Sequence, residues 1–297
     1  MSTKRYIVVV NPKGGTRRGL DALERVKPIF AAAQAELRTE VTSHAGHAAE
    51  LASALDLSRC DGLCLIGGDG TLHEVVNGLM TRKAPASAPL GIIPAGTGNT
   101  VAQHFGIGGP EDAAQRILNG RAQDLDVARV KTGDVTAYCV NIVGWGAMVD
   151  VNRMAERMRA LGPPRYALAA VAHILGARPR RVRLTVEDRV IEDEFLLAAA
   201  CNTKFTGKGM KLAPDADSGD GKLDLVFVRR ATRGQLLTLF RKVFDGSHMS
   251  LPVVEHMQTS SLSIEPGEVD ALNLDGEIKG TTPASIDVLP GALRVFV

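Results

Sequence analysis

Four strand-like runs alternate with helix-like stretches through the first third of this chain, and that alternation restricts its fold more than any other feature. "YIVVV" (6–10), "RTEVT" (38–42), "GLCLI" (62–66) and "LGIIP" (90–94) read as strands. Between them "GLDALERVKPIFAAAQAEL" (19–37), "GHAAELASAL" (46–55) and "TLHEVVNGLM" (71–80) carry apolar residues at helical spacing. Strands separated by helices imply a parallel sheet with helices on its faces and right-handed crossovers.

From about residue 121 the pattern changes. Strand-like runs fall at 123–131, 135–143, 181–187, 190–201, 223–229, 259–265, 270–274 and 284–288, with helical stretches at 147–160, 165–177 and 232–244. This predicts an α/β N-terminal domain over residues 1–122 and a mainly antiparallel β-sandwich over 123–297. The last run, "LRVFV" (293–297), can return to the first domain.

In an open parallel sheet, ligands bind at the carboxyl ends of the strands. The loops there read "NPKGGTRRG" (11–19), "TSHAG" (42–46), "GGDGT" (67–71) and "PAGTGNT" (94–100). All are small, polar or rich in glycine. Together they predict a cleft lined by backbone N–H groups and short polar side chains, which suits a polyphosphate. Two familiar nucleotide motifs are excluded. Leu20 and Asp21 stand where a P-loop beginning at Gly14 needs Lys and Ser/Thr, and Val101 stands where a dinucleotide fingerprint needs its third glycine.

"GGDGTLHEVVNGL" followed by "PAGTGNT" resembles the diacylglycerol/sphingosine lipid kinase family, whose fold is related to that of NAD kinase. "VVVNPKGG", "TGKGMKLAPDADSGDGKLDL" (206–225) and "LNLDGEI" (272–278) extend the resemblance along almost the whole chain, with Gly14 where the family has Ser. The resemblance implies ATP- and Mg²⁺-dependent phosphorylation of a lipid hydroxyl in a crevice between two lobes. Gly67, Gly68, Gly70 and Thr71 would wrap the nucleotide phosphates, and Asn11, Thr42, Thr97 and Asn99 would complete the cleft. Glu277 would be the general base, with Asp275 beside it and Asp69 organising Mg²⁺ and phosphates. Within the family the base is the DGE glutamate in one branch and the GGDG aspartate in another. Asp220, with the backbone carbonyls of Asp217 and Lys222, would form a structural Mg²⁺ site. "GWGAMVDVNRMAERMRALGPPRY" (144–166) resembles the sphingosine and ceramide kinase branch and would set Asp150 against a sphingoid head group; Thr100 replaces the Asp of the diacylglycerol branch. The acceptor expected is a sphingoid lipid, with diacylglycerol close behind.

Simpler roles compete with each of these. Asp69 can cap the helix that begins near Thr71, although Thr71 can do so itself. Asp275-Gly276 is a hairpin turn by composition, and Asp215, Asp217 and Asp220 can form a solvated acidic loop. Asp150 can cap the helix from 151, and "RPRRVR" (178–183) reads as a solvated basic face. A soluble-substrate kinase of the NAD kinase type and a catalytically silent nucleotide binder remain alternatives.

Composition narrows the partners. A net charge of +2 and a single Trp argue against nucleic acid. Cys60, Cys64, Cys139 and Cys201 form no CxxC pair and read as core. The start of the chain carries no secretory signal pattern, and the apolar stretch 166–177 is too short to span a bilayer. The expected protein is cytoplasmic, contacts membranes transiently to collect its lipid, and is allowed to form a homodimer. No stretch identifies the contact surface.

Overall fold

A computed structural model of the chain describes residues 3–14, 18–85, 87–158, 165–207 and 209–297. These fall into two compact units. The first runs up to Leu125 and takes back Pro290–Val297; the second is Asp126–Leu289.

The first unit contains β1 (Arg5–Val10), α1 (Gly19–Ala32), β2 (Glu36–Val41), α2 (His47–Ala54), β3 (Gly62–Gly67), α3 (Asp69–Met80), β4 (Leu90–Pro94), α4 (Thr100–His104), α5 (Pro110–Asn119) and the start of β5 (Ala122–Thr132). Its strands pair in the order β2-β1-β3-β4, all parallel. Every residue of β3 is buried, as expected for a parallel strand covered on both faces. Two departures from the sequence reading have local causes. The first helix stops at Ala32 because Gln34 turns to φ +56°; the helix-forming run "AAAQAEL" hides that turn. Helix α3 begins at Asp69, two residues before the expected start, so Thr71 lies inside it and does not cap it.

The second unit is mainly antiparallel. It contains β6 (Val135–Cys139), β7 (Ile142–Gly146), α6 (Ala147–Arg157), α7 (Arg165–Gly176), β8 (Arg180–Val186), β9 (Arg189–Cys201), β10 (Leu223–Arg229), α8 (Arg233–Lys242), β11 (Val254–Thr259), β12 (Ser261–Pro266), β13 (Ala271–Leu274), β14 (Glu277–Thr281) and most of β15 (Ala284–Phe296). The long strand β9 organises it. Its first half pairs with β8, and its second half lies between β7 and β10. The side chains alternate between two cores: Phe195, Ala198 and Ala200 face one, while Leu196, Ala199 and Cys201 face the other. Trp145 is fully buried in the first of these cores.

The expected strand 135–143 is two strands, β6 and β7, separated at Val140-Asn141. The expected 284–288 and 293–297 are one strand, β15, which passes through Pro290 and whose last residues pair with β4 in the first unit. Strands β11 and β14 were not legible in the sequence. β14 is exposed or half-exposed at every position, so it shows no apolar alternation.

Helices α2 and α3 approach closely where Gly78 meets α2. A Cβ on Gly78 would lie 2.2 Å from the Ala49 carbonyl oxygen. Gly78→Ala should therefore force the helices apart and cost about 1–3 kcal/mol by overpacking, read as a lower urea midpoint at unchanged slope.

Candidate active site

The expected nucleotide-binding residues of the first unit converge where its strands end. Asn11 follows β1, Thr42 follows β2, Gly67 ends β3 and the 94–99 loop follows β4. The ladder continues one step past each strand: Asn11 N–H donates to Ile66 O, Thr42 N–H to Val10 O and Ala95 N–H to Gly67 O. This fixes the loop entries to one another before any side chain acts.

Side chains then join the loops. Asn11 Nδ2 donates to Thr71 Oγ1 at 2.9 Å, linking the first loop to the first turn of α3. Gly68 and Gly96 touch backbone to backbone, since a Cβ on Gly96 would sit 2.4 Å from Gly68 Cα. Gly67 has no room for a Cβ either, because Thr71 fills that space. Asn99, at φ +55°, braces its own loop: its Oδ1 accepts from Gly96 N–H at 3.0 Å and its Nδ2 donates to Gly96 O at 2.9 Å. Gly70 is the second residue of α3, and Thr97 is exposed on the 94–99 loop.

Asp69 has a definite structural partner. Its Oδ1 accepts from Thr100 N–H at 2.8 Å and from Thr100 Oγ1 at 2.9 Å. It thus caps α4, not the helix in which it lies. Oδ2 lies on the Gly98 side, where a Cβ would meet it at 2.5 Å. Glu74, one turn further along α3, does the same for α2: its two oxygens accept from Gly46 N–H and Ala48 N–H. A groove of about 770 Å³ opens beside the 94–99 loop, with Arg18, Asp21, Gly96, Asn99 and Gln103 among its walls.

In the second unit, Asp275 and Gly276 form the two-residue turn of the β13–β14 hairpin, both at positive φ (+53° and +98°). Asp275 is buried, and its carboxylate accepts the N–H groups of Val140, Asn141 and Ile142 at 2.9–3.1 Å. Those are the residues at which β6 gives way to β7. Asp275 was expected next to the base as a catalytic group, and its oxygens accept these backbone N–H groups. Asn273 Oδ1 and Asn152 Nδ2 hold the Gly276 peptide from either side. Glu277 follows at the head of β14. It is exposed, and its side chain makes no hydrogen bond or ion pair among the described residues.

Asp150 lies in the first turn of α6, where it is bound by Arg180 of β8 at 2.5 Å. The same guanidinium holds Asp270 at 2.7 Å. His173 Nε2 is 4.0 Å from Asp150. Burial pulls the His173 imidazole below its ordinary value, with Asp150 opposing the shift. Neither Arg180 nor Asp270 was singled out from the sequence. Arg180 lay within a basic run with nothing to distinguish it from its neighbours.

The acidic loop is ordered by its own backbone. Asp217 accepts from Gly219 N–H, and Asp220 accepts from Lys222 N–H and from Gln258 Nε2. Lys222 itself is exposed. Behind the loop Asp126 is 1% exposed and accepts from Gly221 N–H at 2.6 Å, and its own N–H donates to Ser218 O. Asp126 was missed because it lies in a strand pattern remote in sequence. Nearby Asp224 has its carboxyl raised by burial, with His256 opposing, and its buried Oδ2 has no hydrogen-bond partner. The loop's donors are oxygens, the class a hard divalent cation takes, but its carboxylates do not gather into a metal-sized group of three among the described residues. Part of the expected 11–19 loop, part of the 144–166 segment, and Lys208 of the 206–225 segment lie outside the described residues.

Comparison with known proteins gives two family matches. Residues 5–130 match the diacylglycerol kinase catalytic domain, and residues 141–297 match the YegS C-terminal NAD kinase beta sandwich-like domain. Diacylglycerol kinase of Bacillus subtilis is 30% identical, over 94% of this chain and 92% of that protein. Sphingosine kinase 1 of Arabidopsis thaliana is 27% identical, over 93% of this chain and 67% of that protein. A solved Bacillus anthracis structure superposes with a TM-score of 0.82 at 26% identity, covering 100% of this chain and 98% of that one.

The contrast between Asp275 and Glu277 is measurable without any substrate. Asp275→Ala leaves three buried N–H groups without their acceptor and should cost about 3 kcal/mol or more. Glu277→Gln, on an exposed side chain, should stay within about 0.5 kcal/mol of the parent. Urea unfolding of the two variants checks both values.

Proposed function

This chain belongs to the diacylglycerol and sphingosine lipid kinase family, and we propose that it moves the γ-phosphoryl group of ATP to a lipid hydroxyl, with Glu277 as general base. The observation that carries this reading is the clasp between the 67–71 turn and the 96–100 loop. There Asp69 is tied to Thr100, and Gly68 and Gly96 pack backbone to backbone with no side chain between them.

The first unit would hold the donor. N–H groups of Gly67–Thr71 at the α3 N-terminus attract phosphate oxygens, and Asn11, Thr42, Thr97 and Asn99 supply short polar contacts. The second unit would supply the base. The lipid oxygen attacks the γ-phosphorus, the bond from that phosphorus to the β-phosphate oxygen breaks, ADP departs, and the hydroxyl proton passes to Glu277. Asp275 holds the hairpin that carries Glu277 and takes no proton itself. Asp69 would help hold the catalytic Mg²⁺; Asp220 and the carbonyls of Asp217 and Lys222 would hold a structural one. The catalytic ion, when bound, neutralises phosphate charge as the bond breaks. The protein would work in the cytoplasm and meet its substrate at a membrane surface, and a homodimer is compatible with this reading.

Asp150 bears on the acceptor. A cationic sphingoid amine would have to compete with Arg180 for that carboxylate. A neutral alcohol such as diacylglycerol needs no such exchange, so we place it first and the sphingoid base second. Arg180→Gln frees Asp150 and should raise the ratio of sphingosine to diacylglycerol turnover several-fold; an unchanged ratio removes Asp150 from the acceptor site.

Labelled ATP with Mg²⁺ and separate micelles of diacylglycerol, sphingosine and ceramide should yield a labelled phospholipid. Glu277→Gln should lower kcat by about 10²–10⁴-fold, and Asp69→Asn should also abolish most product. Full activity in both variants defeats the assigned chemistry. Labelling of NAD without lipid would move the protein to a soluble substrate, and nucleotide binding without any transfer would make it a silent homologue.

A further inference from the structure

Helix α8 has no buried residue, yet four of its ten residues are Leu or Phe. Leu236 and Leu239, with Val243 just beyond the helix, rest on the second core of their unit. One step around the helix, Leu237 and Phe240 form another stripe, which Phe244 continues in the turn just beyond the helix end. Leu237 is 41% and Phe244 44% exposed, and Phe240 and Phe244 meet edge to face with centroids 5.6 Å apart. Leu237 and Phe244 are thus open to solvent, while Phe240 is half-buried. The helix is nonetheless well defined at its start, where Thr232 and Gln235 make a reciprocal capping box.

Helix α7 packs against α8 and repeats the pattern. Ala169 and Ile174 are buried, whereas Leu168 is 49% and Val171 40% exposed. Charge is distributed in the same way on both segments. Residues 165–186 contain five Arg and no Asp or Glu, and residues 230–244 contain Arg230, Arg233, Arg241 and Lys242 and no acid. Of these, Arg178, Arg233 and Arg241 are exposed and make no ion pair among the described residues.

We infer that the exposed stripes of α7 and α8 form a docking face for an anionic lipid surface, with Leu168, Val171, Leu237 and Phe244 entering the interface and Arg178, Arg233 and Arg241 meeting head groups. Charge selects the occupant. A second copy placed on this face by a two-fold axis would oppose basic residues to basic residues, whereas an anionic bilayer attracts them. Among the described residues no helix is long and apolar enough to cross a membrane, so the contact lies in the interfacial plane. The inference rests on the lipid kinase reading only in that such an enzyme must reach a lipid in a bilayer.

Vesicle sedimentation with the full chain tests it, using phosphatidylcholine with and without phosphatidylglycerol. The parent should bind the anionic vesicles more tightly. Leu237→Glu with Phe244→Glu, and separately Leu168→Glu with Val171→Glu, should lower partitioning at least about tenfold with melting temperature unchanged. Arg233→Gln with Arg241→Gln should lower it roughly fivefold per charge on anionic vesicles only. Parent-level vesicle binding by the three variants overturns the inference, and so does a parent dimer that the apolar variants split without loss of vesicle binding. Turnover of detergent-dispersed diacylglycerol separates the two readings. If the parent labels no lipid but binds vesicles through this face, the kinase reading fails and the docking face stands. If it labels dispersed lipid while the variants bind vesicles like the parent, the face fails alone.

Discussion

Two carboxylates on α3 each end a neighbouring helix, and the loops of the first unit depend on that arrangement. Asp69 receives the first N–H of α4, and Glu74 receives N–H groups at the start of α2. Neither α2 nor α4 has a side-chain cap of its own. A cap of this kind contributes about 0.5–2 kcal/mol, and a negative charge at a helix N-terminus adds a little more. The geometric consequence is larger than the energetic one. Helix α3 cannot shift without moving the 42–46 and 96–100 loops together. The glycines make the arrangement sterically feasible: Gly68 against Gly96, Gly98 beneath Asp69, and Gly78 where α2 crosses. This also resolves why an acid stands in a turn shaped for an anion. Part of its charge is balanced by the N-terminus of α4, so the N–H groups of the turn remain attractive to phosphate.

The second unit uses the same device in an antiparallel setting. Asp275 gathers three consecutive N–H groups where a strand would otherwise continue, and the ladder breaks there into β6 and β7. Because Asp275 also occupies a turn at positive φ, its side chain fixes the hairpin and the strand break at once. Glu277 is the next outward-facing group and inherits a defined position without any contact of its own.

The sequence disclosed the elements whose periodicity is strong and concealed those stabilised by single contacts. The parallel order of the first unit follows from apolar runs such as "YIVVV" and "GLCLI", which are buried on both faces. The end of α1 was invisible because one residue, Gln34, turns the chain inside a run of helix formers. β14 was invisible because solvent surrounds it. In the candidate site, the glycine loops were legible as a set, since small residues recur at four strand ends along one edge of the sheet. Long-range partners were not. Thr100 for Asp69 and Arg180 for Asp150 are 31 and 30 residues away, and Asp126 lies 95 residues from the glycine N–H it accepts. No local pattern encodes such pairs.

Asp69, Asp275 and Glu277 show why residue type alone could not rank these acids. Each lies beside glycine in a turn-like sequence, yet each meets a different supply of donors. Asp275 accepts from three buried backbone N–H groups. Asp69 accepts from the N–H and the hydroxyl of Thr100 through one oxygen. The Glu277 side chain meets none among the described residues and stands exposed at the head of β14. These contacts come from distant parts of the chain, and they separate three acids that the local sequence presents alike.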